Sequence, residues 1–98
     1  MSSRYSLKFV PTALKEWNKL DKAVQLQFKK KLAERLENPH VPASRLQGFR
    51  NHYKIKLRAT GYRLVYEAID REIYIIVIAV GKRDKLDVYK KTRKRKQK

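Results

Sequence analysis

The segment Tyr53-Lys54-Ile55-Lys56-Leu57-Arg58 constrains this chain more than any other. Its residues alternate apolar and cationic with a period of two, the repeat of an extended strand and not of a helix. Tyr53, Ile55 and Leu57 therefore share one face, and Lys54, Lys56 and Arg58 the other. Charged nitrogens are rarely buried without partners, so the apolar face must turn to a core and the basic face to water. A second strand, Tyr62 to Ile69, follows a turn at Thr60-Gly61. Read as a two-residue hairpin, that turn pairs Arg58 with Arg63, Leu57 with Leu64, Lys56 with Val65 and Ile55 with Tyr66. Ile55, Leu57, Leu64 and Tyr66 then enter the core, and Lys54, Lys56, Arg58 and Arg63 gather on one open surface. A third strand, Ile73 to Val80, extends the pattern. With a three-residue turn at 70–72, Ile69 meets Ile73 and Arg63 meets Ala79, and Arg83 emerges on the Arg63 side past Gly81. A two-residue turn would reverse that last parity.

The first half of the chain has a different period. Ser6 to Val10 alternates as a short strand, and Pro11 sits where proline is tolerated, at the opening of a helix. Leu14, Trp17 and Leu20 give that helix one apolar stripe. Asp21 is placed to cap a second helix over 22–37, its carboxylate accepting first-turn amide protons. Val24, Phe28, Leu32 and Leu36 form the buried face of this helix, which Asn38-Pro39 closes. Asp84 to Tyr89 is expected to add one or two helical turns. The order β-α-α-β-β-β predicts an α+β domain, two N-terminal helices packed on one face of a mainly antiparallel twisted sheet.

Charge narrows the function. The 98 residues carry 26 Lys+Arg against 9 Asp+Glu, a formal net charge of +17. Seven of the positive charges lie in the last nine residues, KKTRKRKQK, which read as a solvated, mobile arm. Residues 1–81 still hold 16 basic and 7 acidic side chains, a net of +9, so the body itself favours a polyanion. The absence of cysteine excludes a disulfide framework, a thiol nucleophile and a Cys-based zinc site. The longest apolar run, Ile73 to Val80, is far short of the ~20 residues that cross a bilayer. Together with an N-terminus unlike a signal peptide, this predicts a cytoplasmic protein with no membrane partner.

Like charges on neighbouring strands repel, so folding alone explains the basic surface poorly. A phosphate site explains it better, with cations holding the charge that develops as a phosphodiester reacts. The chain has no HExxH or GxxxxGK[ST] motif and no nearby carboxylate pair, and His40 and His52 are read as surface residues. No metal and no cofactor is expected. RNA can be cut with such limited means, because its 2′-hydroxyl is an internal nucleophile held beside the phosphate.

Four segments, ALKEW (13–17), YKIKLR (53–58), GYRLVY (61–66) and VGKRD (80–84), resemble in order and spacing the RelE family of bacterial toxins. The resemblance runs from about residue 5 to residue 90 and implies a compact, microbial-ribonuclease-like fold over 1–90, followed by a basic tail, 91–98. It implies an endoribonuclease that enters the ribosomal A site and cuts mRNA there, leaving a 2′,3′-cyclic phosphate. The implied partners are the 70S ribosome with its rRNA, mRNA and a RelB-like antitoxin, with operator DNA bound only through the antitoxin complex. Carried over by motif, the catalytic residues are Lys54, Lys56, Arg63, Arg83 and Tyr89. Arg63 and Arg83 would grip the scissile phosphate. Tyr89 would stack on a base and take the 2′-OH proton, with Lys56 as the alternative base; Lys54 would stabilise the transition state or supply the leaving-group proton. Arg58, Arg45 and Lys82 are read as further RNA contacts. Gln47 stands where the resemblance leads one to expect arginine, which weakens one backbone contact. Two other readings are a basic module that only binds RNA or the ribosome, and a ParE-like gyrase poison.

Overall fold

A computed structural model describes residues 4–82 and 87–96. The chain runs β1 (Ser6–Phe9), α1 (Pro11–Asn18), α2 (Lys22–Glu37), a 3-10 turn (Pro42–Ser44), β2 (His52–Leu57), β3 (Tyr62–Ile69), β4 (Tyr74–Lys82) and α3 (Asp87–Lys96). The four strands form one sheet in the order β1-β4-β3-β2, with β1 parallel to β4 and the other pairs antiparallel. The parallel pair is possible because α1 and α2 lie between β1 and the rest of the sheet in sequence, supplying the long crossover that parallel strands need.

The two N-terminal helices cover one face, as the sequence predicts. Val24, Phe28 and Leu32 of α2 are buried against Ile55, Leu57, Leu64, Tyr66 and Val77 of the sheet. On α1 the inward residues are Ala13 and Trp17, whereas Leu14 is 43% exposed, so the expected stripe is rotated by one position. The helix starts at Pro11, and residues 13 and 17, one turn apart, share the face toward the sheet. Trp17 then packs between Phe9 and Phe28, ring centroids 5.4 and 6.1 Å away. Asp21 occupies the position before α2, but its side chain makes no capping bond; its main-chain oxygen accepts from Gln25 N–H at 2.9 Å.

Register departs from the hairpin reading in an instructive way. The β2–β3 connection is four residues long, Arg58 to Gly61, and closes with Gly61 N–H donating to the Leu57 carbonyl at 2.8 Å. Gly61 takes φ +78°, a conformation other residues adopt at a cost. Pairing is thus Leu57–Tyr62, Lys56–Arg63, Ile55–Leu64 and Lys54–Val65, two residues from the expected register. A shift of two preserves the faces. The β3–β4 turn is also four residues, so Ile69 pairs with Tyr74. That alone would send Arg63 to the wrong parity, but β4 bulges at Ile78, and beyond it Val65 meets Ala79 and Arg63 meets Gly81.

The second face of the sheet is only partly open. Leu46, Val65, Ala79 and Val88 form a small core there, with Phe49 and Tyr89 packed on it. Helix α3 supplies Val88 and Tyr89 and runs to Lys96, so most of the segment expected as a loose arm is helical, and Thr92 within it is fully buried. Of the expected helical stretch 84–89, residues 84–86 lie outside the described residues.

Candidate active site

Strand alternation places Lys54, Lys56 and Arg63 on the face that carries α3. Lys56 is exposed and stands directly across from half-buried Arg63. The α3 helix brings Tyr89 to them: Arg63 Nη1 donates to the Tyr89 phenol oxygen at 3.1 Å. Two surface depressions adjoin this pair, one lined by Arg63 and the other by Tyr89. One, of about 290 Å³, is lined by Lys56, Leu57, Arg58, Gly61, Tyr62 and Arg63. The other, of about 350 Å³, is lined by Leu46, Gln47, Phe49, Lys54, Tyr89, Lys90 and Arg93. Neither lining contains an acid.

Three carboxylates among the described residues are engaged away from this surface, whereas Glu34 lines a further depression of about 520 Å³ with Lys56 and Arg58. Glu16 is bound by Lys91 and Arg95, Asp70 by His40 and Tyr5, and Glu67 lies 3.9 Å from His52. Bonds from His40 and Tyr5 hold the Asp70 carboxyl below its ordinary value. Among the described residues, cations therefore flank the Arg63–Tyr89 pair on both linings, an arrangement suited to an anion with several oxygens. Arg63 has five N–H donors, and among the described residues its one bond, to Tyr89, leaves the rest of its fork for a phosphate.

The other assigned residues divide. Arg58 lies in the β2–β3 turn, beside Lys56 and Arg63. Arg45 is exposed, joined to Tyr53 by a main-chain bridge, and lines neither depression. Lys82 does not join the set: it pairs across from Tyr62, its Nζ 5.6 Å from that ring, and parity places both on the face that α1 and α2 cover, opposite Arg63. Arg83 lies outside the described residues.

Lys90 and Arg93 were not singled out by sequence reasoning, because they were counted in the tail. Arg93 is four residues beyond Tyr89, and a helical reading of the segment would have set both on one face. The histidines sit at the other end of β2 and β3. His40 is held between the Tyr53 hydroxyl (2.7 Å) and Asp70 (2.7 Å). His52, expected at the surface, is buried under Phe49, and its Nδ1 lies 2.7 Å from the Arg50 carbonyl.

The chain as a whole is similar to known proteins. The family described as the ParE toxin of the type II toxin–antitoxin system parDE matches residues 7–86. The mRNA interferase toxin RelE of Escherichia coli K12 is 52% identical over 91 residues, covering 93% of this chain and 96% of that protein. A mutant of the E. coli toxin RelE in the free state superposes with a TM-score of 0.87 at 50% identity, covering 94% of this chain and 97% of that one. The intact E. coli RelBE toxin–antitoxin complex contains a chain matching at TM-score 0.80 and 52% identity, over 83% of this chain and 99% of that one. The family description names ParE and the similar proteins name RelE, and the similarity to RelE extends over nearly the full length. With sequence and fold in agreement, the chain belongs to the RelE/ParE family of type II toxin–antitoxin toxins.

Proposed function

We propose that the chain is a ribosome-dependent endoribonuclease that cuts mRNA in the ribosomal A site and so halts translation. The observation that carries this reading is the Arg63–Tyr89 hydrogen bond at 3.1 Å, between two depressions whose linings, among the described residues, hold lysines and arginines and no acid. In the proposed reaction the 2′-hydroxyl of the message attacks the adjacent phosphorus. The O2′–P bond forms, the P–O5′ bond breaks, and the products are a 2′,3′-cyclic phosphate and a free 5′-hydroxyl. Arg63 and Arg83 hold the phosphate and the extra negative charge of the phosphorane. Tyr89 stacks on a base, and the hydroxyl proton passes to Tyr89 in its phenolate form or to Lys56 in its free-amine form. Lys54 steadies the transition state or delivers a proton to the departing oxygen.

On this reading the ribosome, and not the two surface depressions of about 290 and 350 Å³, holds the single-stranded RNA in line for attack. A RelB-type antitoxin would neutralise the toxin, and the pair would repress its own operon; the RelBE complex of the E. coli relative supports the first of these. A ribosomal target places the activity in the cytoplasm. Gyrase poisoning, the ParE-type alternative, draws on the family description alone and gives the Tyr89–Arg63 pair no role.

Primer extension on mRNA being translated, with and without the protein, tests the proposal. New ends within A-site codons are expected, and naked RNA should be cut poorly. Intact mRNA together with loss of DNA supercoiling activity would favour the ParE-type reading.

A further inference from the structure

Helix α3 presents a physical problem. Its ten residues, DVYKKTRKRK, contain six cations, which repel one another and the basic sheet beside them. Among its described side chains two small ones, Val88 and Thr92, are fully buried and Tyr89 is half-buried beside them, and the Thr92 hydroxyl is satisfied within the helix by the Val88 carbonyl at 2.9 Å. So little apolar area is weak cause for docking such a helix.

The compensating charge comes from α1. Glu16 Oε1 accepts from the Val80 N–H at 3.1 Å and from Arg95 Nη1 at 3.2 Å. Its Oε2 accepts from Arg95 Nη2 at 3.1 Å and from Lys91 Nζ at 2.8 Å. Arg95 Nη1 also donates to the Ile78 carbonyl at 2.6 Å, so the main-chain groups at and beyond the β4 bulge are satisfied by this same pair of side chains. Burial pushes the Glu16 carboxyl up, but the bonds from Arg95, Lys91 and the Val80 amide outweigh it and hold the group below its ordinary value. One carboxylate thus ties α1, β4 and α3 together.

The position of this tie on the helix matters. At about 100° per residue, Lys91 and Arg95 lie roughly 200° and 240° around α3 from Tyr89, on its far side. A helix gripped there has its roll fixed, and that roll points Tyr89 at Arg63. We infer that Glu16 is a positioning residue for Tyr89, a latch that docks the cationic helix α3 so that the phenol reaches Arg63. This rests on the assignment of Tyr89 to the cleavage step.

The test uses Glu16→Gln, with Arg95→Lys and Arg95→Met breaking the latch partly and fully from the other side. All are assayed in single-round and steady-state cleavage on programmed ribosomes, and by amide hydrogen exchange across α3. Glu16→Gln should lower kcat about tenfold or more while KM changes less than about twofold, because misplacement, not lost binding, is the defect. Arg95→Lys should retain more activity than Arg95→Met. In a Tyr89→Ala background Glu16→Gln should cause no further loss, since the residue it positions is gone. Exchange in α3 should quicken in Glu16→Gln and Arg95→Met while the sheet stays protected. Wild-type kcat in a folded Glu16→Gln protein, or a loss that multiplies undiminished in the Tyr89→Ala background, would overturn the latch. Should the unaltered protein cut no RNA, the endonuclease reading falls by itself; the latch is then judged on exchange, and unchanged α3 protection would overturn it. If Glu16→Gln does not fold, the two Arg95 variants carry the same comparison.

Discussion

Replacing Arg63 by alanine separates the chemistry of this protein from its folding. Among the described residues the guanidinium makes one hydrogen bond, to Tyr89 at 3.1 Å, and faces Lys56 directly across the β2–β3 pair. Losing the bond costs about 0.5–1.5 kcal/mol. Removing the like charge opposite Lys56 returns about 0.2–1 kcal/mol. The two nearly cancel, so stability should change by less than about 1 kcal/mol, and Tm by less than about 8 °C for a chain of this size. The chemical step should respond very differently. A preorganised donor aimed at developing charge is worth about 10²–10³ in kcat, or roughly 2.7–4 kcal/mol of barrier. Arg63→Lys, which keeps charge but loses the fork, should fall between alanine and wild type. Single-turnover cleavage on ribosomes holding a defined A-site codon gives the rate, and a thermal melt of the same preparation gives the stability. Cleavage by Arg63→Ala within about threefold of wild type would refute the assignment, given the 10²–10³ expected. So would a fall in Tm large enough to account for the lost activity.

Lys54→Ala should lower single-turnover cleavage while leaving the fold intact, because the side chain lines the surface depression and the β2 core residues are Ile55 and Leu57; a melt and a cleavage assay on one sample check both. Ile73 takes φ +57° at the β3–β4 turn and is 52% exposed, so Ile73→Asn should stabilise the protein by about 1 kcal/mol, read as a raised Tm. Because the folded-state Glu16 carboxyl titrates below its unfolded value, its stabilisation is complete above the ordinary glutamate range and is lost as pH falls through the folded value. Acid unfolding followed by circular dichroism should therefore be less steep in Glu16→Gln.

The sequence made faces legible and distances illegible. Alternation through Tyr53–Arg58 and Tyr62–Ile69 sorts Ile55, Leu57, Leu64 and Tyr66 from Lys54, Lys56 and Arg63, and that sorting survives in the fold because the register differs by an even number. Turn length was not legible, since Thr60-Gly61 satisfies a two-residue hairpin as well as the last positions of a four-residue loop. The Ile78 bulge is hidden in an unbroken apolar run, where both faces of β4 are covered and no alternation marks the slip. Composition misled at the C-terminus. KKTRKRKQK reads as solvated because its counter-charge, Glu16, sits about seventy-five residues earlier in ALKEW, a separation no local rule spans. His52 is a smaller case of the same kind, a polar residue buried by Phe49 and the Arg50 carbonyl, both supplied by the loop before β2.

At the centre of this account is the claim that the message supplies its own nucleophile. Programmed ribosomes carrying an mRNA with a single 2′-deoxy sugar on the 5′ side of the scissile phosphate test it directly. Cutting at that linkage should vanish, while an unmodified message is cut there and ends in a 2′,3′-cyclic phosphate. Undiminished cutting at the deoxy position would mean that water or a protein group attacks the phosphorus, and the roles given to Arg63, Tyr89 and the two lysines would be wrong.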